Sequence, residues 1–212
     1  MMSILPFADR TDAARLLSYR LADLRGSRPL ILAIPRGAVP IGRILADALD
    51  GELDVVLVRK LGAPISPEFA VGAVDESGEV QVAAYADSAG ASEAYLREEA
   101  NRQLARIRQQ RQIYGKGRDA IDPRDRVVIV VDDGLATGAT MAAALTWVRK
   151  RAPSRLICAV PVASAHALAQ MNELADEVVC LATPPDFSSV GAHYRKFGQV
   201  EDSEVVALLH PS

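Results

Sequence analysis

The chain has 212 residues, of which 50% are hydrophobic, enough to form one sizeable core. Its formal net charge of −3 argues against nucleic acid as a partner. Charged residues near the N-terminus (Asp9, Arg10, Asp12) interrupt any signal-like apolar run, and no segment reaches the roughly 18 apolar residues that cross a membrane. We therefore expect a soluble, cytoplasmic protein with free thiols at Cys158 and Cys180.

The first elements predicted along the chain are a helix, a strand and a second helix. Residues 9–25 have the periodicity of an amphipathic helix that serves packing, and residues 30–34 form a buried strand. The loop after this strand contains Arg36 and Gly37 and leads into a helix over residues 41–49. An arginine beside a glycine in such a loop can contact an anion through its guanidinium and through the backbone. The alternative is a tight turn with a solvent-facing arginine.

The second predicted strand, residues 53–58, ends on two cations, Arg59 and Lys60. They would lie at the same edge of the sheet as the loop after the first strand. Two positive charges at that edge suit a ligand with several phosphate groups. The alternative is that both side chains are solvated at the end of a strand.

The regular alternation of strands and helices breaks over residues 61–117. A hairpin is predicted over residues 70–85, followed by a long polar helix over residues 92–114. We predict that this segment is an inserted small α+β subdomain, and that residues 1–60 and 118–212 form the core. The long helix carries arginines that either form a solvated face, capture phosphate, contact another subunit or bind RNA (Arg97, Arg102, Arg106, Arg108, Arg111).

The most informative stretch is residues 126–141. The β-branched run 127–131 predicts a strand buried on both faces. It ends on Asp132 and Asp133, whose carboxylates only accept hydrogen bonds and suit ribose hydroxyls or a magnesium ion. Residues 134–140 are mostly small or hydroxyl-bearing and lead into an apolar helix, whose N-terminus attracts an anion. The alternative is an ordinary crossover in which an aspartate caps the helix.

Strands and helices alternate again in the last third of the chain. Strands are predicted over residues 156–162 and 177–181, with helices over residues 140–151, 164–174 and 202–209. This alternation is typical of a doubly wound parallel sheet. We therefore predict an α/β fold of that kind with the small subdomain inserted into it.

The order of apolar strand, two acidic residues and Thr-Gly-x-Thr loop closely resembles the phosphoribosyl diphosphate (PRPP) signature of type I phosphoribosyltransferases. The resemblance implies that Asp132 and Asp133 are the catalytic residues, which hold the ribose hydroxyls. It implies that the 5-phosphate binds the loop after them (Ala136, Thr137, Gly138, Ala139, Thr140). It also implies that basic residues and a glycine of the other strand ends bind pyrophosphate (Arg36, Gly37, Lys60, Arg59).

The same resemblance implies a glycosyltransferase that moves ribosyl 5-phosphate from PRPP to a nitrogen nucleophile, first of all a nucleobase, in nucleotide salvage. Magnesium held through PRPP, a homodimer and a lid formed by residues 61–117 are further expectations. Enzymes for 6-oxopurines usually carry an aspartate where this chain has Ala136, so the loop points away from the hypoxanthine–guanine type and leaves adenine as the first guess. The alternative is a non-catalytic regulator that senses PRPP and binds nucleic acid through its basic insertion.

The tail over residues 183–199 would be the hood that covers the nucleobase. Phe187, Tyr194 and Phe197 are the candidates for stacking on the base, in that order. The alternative is that these aromatic residues anchor an irregular loop to the core.

Overall fold

The computed structural model describes residues 5–211. Its helices are α1 (Arg10–Arg20), α2 (Val39–Leu49), α3 (Glu93–Gly115), α4 (Ala139–Arg149), α5 (Ala165–Met171) and α6 (Asp202–Leu209). Its strands are β1 (Leu30–Ala33), β2 (Glu52–Val55), β3 (Val58–Gly62), β4 (Ala70–Asp75), β5 (Val80–Val82), β6 (Val127–Val131), β7 (Arg155–Val162) and β8 (Glu177–Ala182). Within the described range, no helix combines the length and the apolar character that crossing a membrane requires.

The larger sheet has five strands in the order β2-β1-β6-β7-β8, and all its neighbours pair in parallel. The chain builds outward from β1 to β2 on one side, and from β6 to β8 on the other. This reversal between β1 and β6 is the switch point of a doubly wound sheet, beyond whose strand ends ligands bind. The predicted α/β fold class is confirmed.

The β-branched run of β6 serves both faces of this sheet because successive side chains of a strand point in opposite directions. Ile129 belongs to the core that α1, α2 and α6 cover. Val128 and Val130 belong to the core that α4 and α5 cover, together with the buried thiol of Cys158. A strand between two apolar layers needs no polar face, which explains the unbroken hydrophobic sequence.

The smaller sheet is antiparallel in the order β3-β4-β5, and α3 packs against it and against α6. The prediction of one strand over residues 53–58 is wrong. The chain makes two strands, of which β2 ends at Val55 in the parallel sheet and β3 begins at Val58 in the antiparallel sheet. The apolar run contains no turn residue, so the break comes from pairing with different partners. Arg59 and Lys60 therefore lie inside β3 and not at the end of a core strand.

A charged network joins this inserted subdomain to the parallel sheet. The guanidinium of Arg111, on α3, donates to both carboxylate oxygens of Glu76, at 2.7 and 3.0 Å. It also donates to Oδ1 of Asp54 and to the carbonyl of Val55, both at 2.9 Å, on β2. The other oxygen of Asp54 accepts the backbone N–H of Ile121 at 3.0 Å. One arginine thus connects the core strand, the β4–β5 turn and the inserted helix.

Candidate active site

Asp132 and Asp133 follow directly after β6, at the switch point of the sheet. Oδ1 of Asp132 accepts the backbone N–H of Asp133 at 2.8 Å. Burial raises the pKa of Asp132 well above its usual range, and the neighbouring Asp133 charge adds to the effect. Burial also raises the pKa of Asp133, while Arg10 opposes that shift. Two carboxyl groups with raised pKa values at a strand end are typical of a functional site.

Arg10 is the cation of this site, and it comes from the first turn of α1. Its Nε and Nη2 donate to Oδ2 of Asp133 at 3.0 and 2.8 Å, and its Nη1 donates to the carbonyl of Gly198 at 2.7 Å. The guanidinium carbon lies 3.9 Å from the ring centroid of Phe197. The periodicity of residues 9–25 predicted only packing. It gave no sign of a site role for Arg10, because the partner is 123 positions away and nothing local marks the contact.

One oxygen of each carboxylate stays available in this arrangement. Within residues 5–211, no hydrogen bond is made to Oδ2 of Asp132 or to Oδ1 of Asp133, although both side chains are largely shielded from solvent. These oxygens can accept hydrogen bonds from hydroxyl groups of a ligand. Arg10 offsets the negative charge of the pair, which would otherwise repel a ligand that carries phosphate groups.

Gly37 brings the loop after β1 against the acid pair. A Cβ at this position would overlap Oδ2 of Asp133 and would lie 3.2 Å from Nη2 of Arg10. The glycine is needed here because two chain segments approach closely, with no demand for a left-handed backbone. The peptide bond between Pro35 and Arg36 in the same loop is cis. The two strand-end loops predicted from the sequence are therefore in direct contact.

The loop after the acid pair has the features of a phosphate site. Gly138, the N-cap of α4, adopts a left-handed conformation with φ of 76° and has no side chain to cap the helix, while the N–H of Ala139 donates to Oγ1 of Thr137 at a long 3.5 Å. Ala136 and Thr137 are exposed, and Thr140 is partly exposed. The hydroxyl of Ser164 donates to the carbonyl of Ala136 at 2.7 Å and fixes the loop to the start of α5. Unbonded N–H groups at a helix N-terminus form an anion-binding site.

The three cations predicted to bind pyrophosphate each contact an acceptor within the protein. Nη1 of Arg36 lies 3.7 Å from Glu201 and 3.9 Å from Asp202, at the start of α6. Nζ of Lys60 lies 2.7 Å from the carboxylate of Glu68. Nη2 of Arg59 donates to the side-chain amide oxygen of Gln110, on α3, at 3.0 Å. Arg59 and Lys60 line a cleft of about 610 Å³. Pro35, in the loop after β1, and Thr140, after the acid pair, line the same cleft, so it opens on both loops.

The three aromatic side chains predicted for the hood have different surroundings. Tyr194 is 6% exposed, its ring packs against Phe7 and Phe197, and its hydroxyl donates to the carbonyl of Asp133 at 2.6 Å. Phe187 packs against His193, with ring centroids 5.2 Å apart. Phe197 lies under Arg10. Tyr194 therefore has the anchoring role that the sequence left as the alternative, while Phe187 and Phe197 stay candidates for contact with a ligand.

The acid pair can add ligands to a metal ion but does not by itself form a metal centre. No group of three or more His, Cys, Asp or Glu side chains suited to a metal occurs in the part of the chain that the structure describes. Magnesium commonly keeps waters and substrate phosphate oxygens and takes only one or two protein carboxylates. The residues present fit a magnesium ion that arrives with a phosphate-bearing ligand.

An acid pair and two loops suited to anions lie together at the switch point of a doubly wound sheet. A family model described as "Phosphoribosyl transferase domain" matches residues 8–194. The chain belongs to this family, and the predicted membership is confirmed.

The chain is similar to a curated protein of Mycobacterium tuberculosis that bears the name "Putative phosphoribosyl transferase Rv0571c". The two are 42% identical over 209 residues, which make up 96% of this chain and 46% of that protein. The chain thus spans about half the length of the curated relatives it matches. It is also similar to the crystal structure of TT1426 from Thermus thermophilus, with 46% identity and a TM-score of 0.86. That match covers 97% of this chain and 98% of the other.

Proposed function

We propose that this protein transfers a ribosyl 5-phosphate group from PRPP to a nitrogen nucleophile, with a nucleobase as the acceptor class, and releases pyrophosphate. The contact between Gly37 and Asp133 supports this most strongly. It brings a loop suited to a diphosphate against carboxylates suited to ribose hydroxyls, and the 5-phosphate loop follows those carboxylates in the chain. PRPP carries diphosphate, ribose diol and 5-phosphate in the same order.

Each part of PRPP has a proposed partner. The free oxygens of Asp132 and Asp133 accept hydrogen bonds from the ribose hydroxyls. The N-terminus of α4, with Thr137 and Thr140, binds the 5-phosphate. The loop that contains Gly37 binds the diphosphate through its backbone, with the cations around the cleft nearby (Arg36, Arg59, Lys60).

In this reaction the protein mainly orients the two reactants and stabilises the charge that develops. It needs no side chain that acts as a covalent nucleophile. The bond from ribose C1 to the diphosphate oxygen breaks, and its electron pair leaves with pyrophosphate. The nitrogen lone pair of the acceptor forms the new C1–N bond, and the nitrogen then loses a proton to water. As the ribosyl group becomes oxocarbenium-like, the nearby carboxylates of Asp132 and Asp133 stabilise its positive charge. The inserted subdomain would act as the lid that excludes water.

Magnesium is part of this proposal as an ion that PRPP carries into the site. When bound, it neutralises charge on the diphosphate and the ribose oxygens. A homodimer, a cytoplasmic location and a role in nucleotide salvage belong to the same proposal. Light scattering of the purified protein tests the first of these.

Calorimetric titration with PRPP, with and without magnesium, tests the site. We expect wild-type protein to bind PRPP more tightly with magnesium, and the double variant Asp132→Asn/Asp133→Asn to lose that binding. Asp23→Asn/Asp119→Asn is the matched control, because it removes two exposed carboxylates outside the strand-end loops and the hood and should bind as wild type does. Wild-type protein that ignores millimolar PRPP would refute the proposal.

A second assay separates a transferase from a PRPP sensor. Pyrophosphate release is measured with PRPP and a panel of nucleobases, with adenine first. Release that depends on one base identifies the acceptor. Tight PRPP binding with no release for any base would favour the regulator, and RNA affinity that falls steeply with salt would then support it.

A further inference from the structure

The inserted helix α3 forms one wall of the cleft that opens on the two anion loops. Residues spaced three or four apart along α3 line it, so a single helical face is turned to the cleft (Tyr95, Glu99, Arg102, Gln103, Arg106, Gln110). That face is roughly 22 Å long at about 1.5 Å per residue. The opposite wall consists of residues 56–60, which lead into and begin β3, and it ends at Pro35 and Thr140. The cleft is therefore longer than one phosphate group requires.

Among the described residues, two arginines of this cleft form no ion pair with a carboxylate, although the charge of Arg106 is among the smaller causes that lower the pKa of Glu99, after hydrogen bonds from Gln103 and Arg102. Arg59 is half-buried, and its Nε is shielded from solvent without a hydrogen-bond acceptor. Arg106 makes no hydrogen bond or ion pair with any residue in the described range 5–211. Burial, followed by the nearby charge of Arg106, lowers the pKa of Arg59. By contrast, Arg102 is paired with Glu98 and Glu99.

Two neighbouring guanidinium groups with an unsatisfied, shielded N–H favour an anion between them. A phosphoryl group offers several oxygens to the planar fork of an arginine and can accept from two such forks. Carboxylates of the protein already offset the positive charges of Arg36 and Lys60. Arg59 and Arg106 are therefore the cations that would interact most strongly with an anion.

We propose that Arg59 of β3 and Arg106 of α3 form a phosphoryl-binding subsite, in which both guanidinium groups come from the inserted subdomain. The phosphoryl group has two possible sources, the diphosphate of PRPP or a separate phosphate-bearing ligand that binds beside PRPP. The subsite itself stands apart from the proposed function, and only the first source rests on it. The inserted helix is then part of the binding site and not only a cover.

Calorimetry with inorganic pyrophosphate as the probe tests the subsite. We expect Arg106→Gln and Arg59→Gln each to weaken pyrophosphate binding by about ten-fold to a hundred-fold, the usual effect of losing a charge-assisted hydrogen bond. Arg108→Gln is the matched control. It removes the same charge from an exposed position of the same helix that does not line the cleft, and it should change binding by less than about three-fold. Thermal unfolding checks that each variant folds. If the variant of the half-buried Arg59 does not fold, the variant of the exposed Arg106 is sufficient for the test.

Two further titrations identify the source. If PRPP affinity falls in Arg106→Gln and pyrophosphate no longer binds once wild-type protein is saturated with PRPP, the subsite holds the PRPP diphosphate. If PRPP affinity is unchanged and pyrophosphate still binds PRPP-saturated wild type but not PRPP-saturated Arg106→Gln, a separate ligand occupies it.

The inference is overturned if wild-type protein does not bind pyrophosphate, or if both cleft variants bind pyrophosphate and PRPP as Arg108→Gln does. That outcome, with PRPP binding still lost in Asp132→Asn/Asp133→Asn, leaves the proposed function intact. Arg106-dependent pyrophosphate binding by a protein that ignores PRPP would support the subsite and refute the proposed function.

Discussion

The parallel sheet and the inserted subdomain place their charged groups by different rules. In the sheet, the acid pair lies where β6 ends, and the cation that pairs with it, Arg10, comes from a distant helix and is 13% exposed. In the subdomain, charged residues recur along one face of α3 and line an open cleft. A strand end therefore fixes the carboxylates of the site, whereas strand β3 and one face of α3 carry the cations of the cleft. A site assembled from both regions depends on how firmly they are joined.

Substitution of Arg111 tests the connection between the subdomain and the parallel sheet. It should have the largest effect on stability. Arg111→Gln leaves the shielded carboxylates of Asp54 and Glu76 without their cation. We expect the free energy of unfolding, measured by urea denaturation, to fall by about 3 kcal/mol. Arg108→Gln, on the exposed side of the same helix, should change it by less than about 0.5 kcal/mol. A loss below about 1 kcal/mol would mean that the network is no stronger than a surface ion pair.

Filling the space at Gly37 tests the contact between the two loops. Gly37→Ala puts a methyl group where Oδ2 of Asp133 lies, so the loop after β1 must shift. We expect kcat/KM for the proposed transferase reaction to fall by about a hundred-fold, since displacements near 1 Å have that cost. Gly115→Ala, at the end of α3, is the control because its added methyl group would meet Cδ of Arg111 at an ordinary van der Waals distance of 3.6 Å. Equal activity in the two variants would show that the contact between the loops is dispensable.

Tyr194→Phe separates anchoring from ligand stacking. The variant keeps the ring but removes the hydroxyl that donates to the carbonyl of Asp133. We expect the protein to lose about 1 kcal/mol of unfolding free energy, because a buried carbonyl loses its donor. Tyr19→Phe, at a side chain that is 77% exposed, should leave stability unchanged. Unaltered stability in both variants would contradict the anchoring role.

Asp132→Asn should show the smallest effect, and its dependence on pH is the informative part. Burial and Asp133 raise the pKa of Asp132 in the folded protein, so ionisation of this group destabilises the fold. Below the unfolded pKa, roughly pH 4, both states bind the proton and the variant has no advantage. As the pH rises past that value, wild type loses stability relative to the neutral variant.

We therefore expect Asp132→Asn to unfold at a higher temperature than wild type at pH 7, with the difference vanishing near pH 4. The amide oxygen can still accept the N–H of Asp133. Asp119→Asn, at an exposed position, should show no such pH-dependent gain. A variant less stable than wild type at pH 7 would contradict the sign.

Local signals were enough to predict the parallel sheet and the acid pair. β6 occupies residues 127–131 and α6 residues 202–209, as predicted, because each is bounded by residues that end it. An unbroken β-branched run that ends at two aspartates is typical of a strand buried on both faces. The position of the acid pair at the sheet edge then follows from the fold class.

The parts that sequence analysis missed all depend on contacts between distant segments. The Arg10–Asp133 pair, the hydrogen bond from Tyr194 to Asp133 and the proximity of Arg59 to Arg106 join residues far apart in the chain. The break between β2 and β3 depends likewise on which strands become neighbours. Periodicity and local turn residues carry no information about such partners.

The switch point also determines the order in which the two loops of the candidate site are synthesised and brought together. β1 and β6 are adjacent in the sheet, but the whole inserted subdomain is synthesised between them. A nascent chain therefore has its first anion loop long before the acid pair exists, and the long-range pairing that unites them comes late. On the proposed function, PRPP would stabilise only a chain whose sheet has been completed through β6, and from then on it would shift the folding equilibrium toward the folded protein by mass action.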